Sequence, residues 1–300
     1  MGGRRWWLGA VVFGAVAAMA MSMTFLSAER GARETPVITV TPAVTATSFP
    51  PSSEEPPPAL PEPEPTPASP EPGLTPRKPG GGLAELAEGI DLGVVMRDLD
   101  TGTDLFAHNP DQGFDSASLV KILIALDALE NQDEPEATVV RMLSTSDDDE
   151  ASRMWSAGGG RRIVATWAEE IGMVGTSPPK NPNQWGDTLT TAADVALLYQ
   201  YLLKAPNGAV VLKGLDGMTD YGQDGFDQRF GIPAAAGDRR WAVKQGWSCC
   251  AGHRTLHSTG LVGPDHRYVV VVLTGQPAGT GAASARARVT DIAAFLLSEH

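Results

Sequence analysis

The stretch SASLVKILIALDALE, residues 116–130, puts apolar side chains on every side of a helix. Leu119, Val120, Ile122, Leu123, Ile124, Ala125, Leu126, Ala128 and Leu129 leave no polar face before Asp127 and Glu130. A helix that is hydrophobic all round is buried all round, so the rest of the chain must wrap this segment from every direction. Ser118 and Lys121 are carried in with it. At a spacing of three residues they share one side of the helix, and both desolvation and the positive end of the helix dipole disfavour an ammonium group there. Lys121 is therefore expected to have a depressed pKa and to be able to take a proton from the Ser118 hydroxyl.

The elements available for wrapping follow from periodicity. Residues 92–110, LGVVMRDLDTGTDLFAHNP, read as two strands joined by a turn at Asp100-Thr101-Gly102. A helix begins near Ser118, and helical patterns cover about 147–157, 161–171 and 190–203. Residues 241–247, 254–262 and 267–275 read as strands, and 282–298 as a closing amphipathic helix. Strands at both ends around a helical middle predict an α+β domain, an antiparallel sheet packed against a helical layer.

That domain occupies only part of the 300 residues. Residues 6–26, WWLGAVVFGAVAAMAMSMTFL, carry no charge and follow Arg4 and Arg5. About 20 such residues span a bilayer, whereas the apolar region of a cleaved secretory signal runs to about 7–15. Residues 1–30 are thus expected to be a membrane anchor or a signal segment, and both readings place the remainder outside the cytoplasm. The only cysteines, Cys249 and Cys250, lie far from any N-terminal lipidation site, so a lipid anchor is not expected. Residues 31–82 hold most of the proline, 15 of the 24 lying between Pro36 and Pro79, and read as an extended linker. Residues 83–300 form the folded domain, with 29 Asp and Glu against 17 Lys and Arg. This acidic balance gives no footprint for nucleic acid. The two adjacent cysteines are too close for an ordinary disulfide; they are expected to be small buried thiols, and no metal or other cofactor is expected.

Two further groups follow the Ser118-Lys121 pair. RMLSTSDDDEAS, 141–152, sets Ser146, Asp147 and Asp148 at the start of a helix, and AVKQGW, 242–247, sets Lys244 and Gly246 on a strand. A glycine there fits an edge that something approaches closely. The acidic run at Asp149 and Glu150 is the ordinary composition of a first helical turn, and His257 reads as a structural residue.

Together the three groups resemble the S-x-x-K, S-D-N and K-T-G boxes of class A β-lactamases and penicillin-binding proteins. GDTLTTAADVALLYQYL, 186–202, resembles the stretch that follows the Ω-loop of those lactamases. The resemblance implies Ser118 as an acylated nucleophile, Lys121 as its base or relay, Ser146 as proton carrier to the leaving nitrogen, and Lys244 as an orienting cation. It implies an oxyanion hole from the backbone N–H groups of Ser118 and Trp247, and substrate contacts from Asp148, Gln245, Gly246 and Arg254, the last because a guanidinium suits a substrate carboxylate. The expected substrate is a β-lactam or a peptidoglycan peptide.

Three departures temper the activity. Asp148 replaces the asparagine of the second box and favours a charged Lys121. Gln245 replaces the hydroxyl residue of the third. Residues 172–186, GMVGTSPPKNPNQWG, hold no Asp or Glu to activate a deacylating water. The short interval between the first two boxes predicts a reduced helical layer. The expectation is an exported serine hydrolase or acyltransferase with slow deacylation; the alternative is a cell-wall peptide-binding module on the same fold.

Overall fold

The structure, a computed structural model, describes residues 82–248 and 252–298. The anchor and almost all of the linker expected from the sequence, together with Cys249 and Cys250, lie outside the described residues.

In chain order the elements are α1 (Leu83–Leu86), β1 (Asp91–Asp98), β2 (Thr103–His108), β3 (Phe114–Asp115), α2 (Lys121–Asn131), α3 (Glu136–Ser144), α4 (Asp148–Ala157), α5 (Arg161–Ile171), β4 (Leu189–Thr190), α6 (Ala192–Leu202), α7 (Gly208–Asp216), α8 (Ile232–Ala235), β5 (Trp241–Ser248), β6 (His253–Val262), β7 (Tyr268–Pro277) and α9 (Ala282–Ser298). Five strands form one antiparallel sheet in the order β2-β1-β7-β6-β5, and β3 pairs with β4 in a small separate ribbon. The chain is therefore α+β, and no helix among the described residues is long and apolar enough to cross a membrane.

Both faces of the sheet are covered, which is why β7 reads YVVVVL without polar interruption. Successive strand residues point to opposite faces. Val269, Val271 and Leu273 join the core that holds α2 to α7, while Val270 and Val272 join a second core with α1, α8 and α9. The wrapped helix is α2, whose Ile122, Ile124, Ala125 and Ala128 have no exposed surface. Asp127 does not open a polar face as the sequence suggested: it is buried, and its carboxylate accepts from Asn131 Nδ2 (3.0 Å) and Gln132 Nε2 (2.7 Å).

Of the four helices not expected from periodicity, α1 and α8 are single turns and the longer two are α3 and α7. They pack on each other where Gly214 leaves room: a Cβ at that position would lie 2.8 Å from Leu143 Cβ. Elsewhere the ends follow local chemistry. Asp147 caps α4 by accepting from the Glu150 N–H (3.0 Å), and Thr191 caps α6 by accepting from the Asp194 N–H (3.2 Å).

Candidate active site

Ser118 does not start the α-helix directly. It sits in a 3-10 turn, Ala117–Val120, and α2 begins at Lys121. Ala117 enters that turn at φ +46°, in the left-handed region that non-glycine residues seldom occupy. Ser146, between α3 and α4, is held likewise at φ +53°. Such conformations cost on the order of 1–3 kcal/mol and persist only where the surroundings impose them. Here one immediately precedes Ser118 and the other is Ser146 itself.

The side chains converge on Lys121. Its ammonium, fully buried, donates to Ser118 Oγ (3.1 Å), Ser146 Oγ (3.1 Å) and the Ser146 carbonyl (2.7 Å), and pairs with the Asp148 carboxylate. Lys244, also buried, donates to Ser146 Oγ (2.9 Å) and to the Gln245 carbonyl (2.9 Å). A continuous hydrogen-bonded path thus runs Ser118, Lys121, Ser146, Lys244. Burial pushes the Lys121 pKa below its ordinary value, and Asp148 draws part of that shift back. Lys244 lies well below its ordinary value, first through burial and then through the charge of Lys121. Each ammonium also lies over an indole, Lys121 at 4.9 Å from the Trp185 ring and Lys244 at 5.6 Å from the Trp247 ring.

The path opens on a cleft of about 350 Å³ lined by Ser118, Asp148, Ser152, Trp185, Asp187 and Trp247 among others. Gly246 shapes its base on the sheet side: a Cβ there would meet the Ser116 carbonyl oxygen at 3.1 Å, so its absence allows the nucleophile-bearing turn to lie against β5. Trp185 walls the opposite side and donates its Nε1–H to Ser152 Oγ (3.1 Å).

Two expected substrate contacts are elsewhere. Gln245 is fully buried, and its amide donates to the Gln228 (2.9 Å) and Phe230 (2.7 Å) carbonyls. Strand alternation accounts for this. Lys244 follows Ala242 onto the helical side, while Gln245 follows Val243 toward Phe230 and the second core. Arg254 donates Nε–H to the Thr280 carbonyl (2.9 Å) and does not line the cleft. His257 is a buried structural residue. Its Nδ1 accepts from the Thr274 N–H (3.1 Å), so the proton sits on Nε2, which donates to the Asp115 carbonyl (2.9 Å). The sequence reading missed Trp185, Asp187 and Ser152. Asp187 lies one residue past the carboxylate-free segment 172–186, and Ser152 is one turn beyond Asp148 on α4.

The described residues contain no group of three or more His, Cys, Asp or Glu side chains suited to a metal ion. A profile of the family described as the β-lactamase enzyme family matches residues 83–139. Across 214 residues the chain is 37% identical to "Putative lipoprotein LppW" of Mycobacterium tuberculosis, covering 66% of this chain and 67% of that one. Among solved structures, an ancestral class A β-lactamase superposes with a TM-score of 0.59 at 20% identity, over 73% of this chain and 98% of its own. A PBP-A variant in an acyl-enzyme complex with penicillin G superposes at 0.57 and 19%, over 72% and 92%. The extent of the match to LppW makes this chain a member of the family of LppW, and its architecture is the fold shared by class A β-lactamases and PBP-A.

Proposed function

We propose that this protein is an exported serine acyl-enzyme, tethered to the membrane by its N-terminal segment, that reacts with β-lactams or peptidoglycan peptides through Ser118. The observation that carries this reading is the hydrogen-bonded path from Ser118 through Lys121 and Ser146 to Lys244, opening on the cleft. A variant of PBP-A, which shares the fold, is seen as an acyl-enzyme with penicillin G. LppW carries the name of a lipoprotein; in this chain, whose only cysteines are Cys249 and Cys250, the apolar stretch 6–26 would serve as the tether instead.

In the proposed reaction Ser118 Oγ attacks the carbonyl carbon, and its proton passes to a neutral Lys121. The C–O bond of the acyl-enzyme forms as the C–N bond breaks. Ser146 hands a proton to the departing nitrogen and is replenished from the lysines on either side. The backbone N–H groups of Ser118 and Trp247 would hold the oxyanion; such donors contribute about 2.7–4 kcal/mol each. Breakdown of the ester needs an activated water; residues 172–186 supply no carboxylate for it, and the acidic residue this loop does bring to the cleft is Asp187, just past them. With no carboxylate inside the segment itself, slow deacylation is part of the proposal, and it also favours a second reading in which the cleft chiefly holds cell-wall peptide.

Intact mass spectrometry of the full chain in non-ionic detergent, incubated with a reporter penicillin or with p-nitrophenyl acetate, tests the proposal. Wild type should gain one acyl group that persists over the time course, and Ser118→Ala should gain none. A folded wild type left unmodified by both reagents would sink the acyl-enzyme and leave the binding module.

A further inference from the structure

The charged side chains that line the cleft are of one sign. Among the described residues that line it, Asp148 and Asp187 are the only charged ones. Asp224 stands just behind Trp247, accepting from its indole N–H (2.9 Å), and its charge is felt at both buried lysines. Asp148 is 61% exposed on its side chain even while paired with Lys121. Asp187 is exposed, and neither it nor Asp224 is paired with a cation among the described residues. The two positive groups nearest the nucleophile, Lys121 and Lys244, are sealed beneath the floor and committed to Ser118, Ser146, Asp148 and the Gln245 carbonyl.

The groups that would welcome a substrate carboxylate have meanwhile been used for other contacts. Gln245 ties β5 to residues 228–230, and the Arg254 Nε–H binds Thr280. An incoming anion therefore meets two unpaired carboxylates and a third that is only partly neutralised. These carboxylates are open to solvent at the mouth of the cleft, so their effect on a ligand falls as salt rises. An incoming cation meets the same carboxylates as partners.

Resting on the reading of Ser118 as the nucleophile, we infer that the cleft selects acyl donors carrying an ammonium or guanidinium group, and that Asp187 and Asp224 set this preference. The charge of the domain as a whole, with 29 acidic against 17 basic residues from 83 to 300, steers ligands in the same direction.

The first test needs no acylation. Full-length protein in non-ionic detergent is titrated with n-butylammonium or with butyrate while tryptophan fluorescence is followed, and Trp185→Phe and Trp247→Phe identify the cleft signal. The ammonium should bind about tenfold more tightly than the carboxylate, an advantage that shrinks in Asp187→Asn, in Asp224→Asn and in high salt. Equal affinities, or tighter binding of butyrate, would overturn the inference on wild type alone, whatever the variants do. A second arm compares acylation of Ser118 by the p-nitrophenyl esters of 6-aminohexanoate, hexanoate and adipate, read by intact mass. The order should be ammonium, then neutral, then anionic; the reverse order counts against the selectivity. Ammonium-selective binding with no acylation by any ester would uphold the selectivity and overturn the acyl-enzyme instead.

Discussion

Lys121 offers three N–H groups to four acceptors on Ser118, Ser146 and Asp148. That surplus of acceptors favours the charged form, while burial favours the neutral form that a base requires, and burial wins. Asp148 is the main opposing charge, so Asp148→Asn should lower the Lys121 pKa further. Because the proposed base works deprotonated, the rising limb of the acylation pH profile should move to lower pH in that variant; a limb that stays in place would remove Lys121 as the base. Lys121 also sets function against stability. A buried ion pair is often no more stable than apolar packing, and its partner here is largely solvated. Lys121→Met should therefore abolish acylation while leaving stability unchanged or raised by about 1–2 kcal/mol in urea denaturation. At this scale the sequence was legible where a residue broke its local pattern, as Ser118 and Lys121 do within an apolar helix. It was silent on Trp185 and Asp187, whose place in the cleft depends on how a loop returns over α4 rather than on any spacing.

The strands show how an element can fix a role that residue type alone leaves open. Alternation on β5 puts Lys244 beneath the nucleophile and Gln245 on the far side, so the position of a box residue on its strand decides whether it meets a substrate. That parity was available in the sequence; the partners of Gln245 were not, since residues 228–230 have no periodic pattern. The hairpin, the last three strands and α4, α5, α6 and α9 were legible from periodicity and caps. The helices α3 and α7 became evident only through the packing of Leu143 on Gly214. On β6, His257 sits between Thr274 and Asp115 with no exposed surface, and burial pushes its pKa down to about 4 from 6.5. The folded state thus resists a proton that the unfolded chain accepts. Stability is full above about pH 6.5, falls as the pH drops toward 4, and loses no more to this group below that, a total of about 3 kcal/mol. Denaturation midpoints measured across this range should show the slope, and His257→Asn should flatten it; an unchanged slope in the variant would assign the acid sensitivity elsewhere.

At the level of the whole molecule, one sheet serves two cores, and the stability of each depends on the other. Val270 and Val271 are neighbours on β7 that point into opposite cores, both without exposed surface. Truncating either to alanine removes two buried methyl groups and leaves a cavity, a cost of about 2–3 kcal/mol. Both variants should unfold in a single transition with similar losses. A second transition in Val271→Ala alone would mean that the helical side melts by itself. The same sheet has its first strand in a central position, bonded to its last: Val95 of β1 pairs with Val271 of β7, and Asp91 with Gly275. No arrangement of the first two strands and the intervening helices supplies that partner early. A nascent chain threaded N-terminus first through a narrow pore therefore stays pliable until its final strand has emerged, and only then acquires the rigidity that would bar its passage.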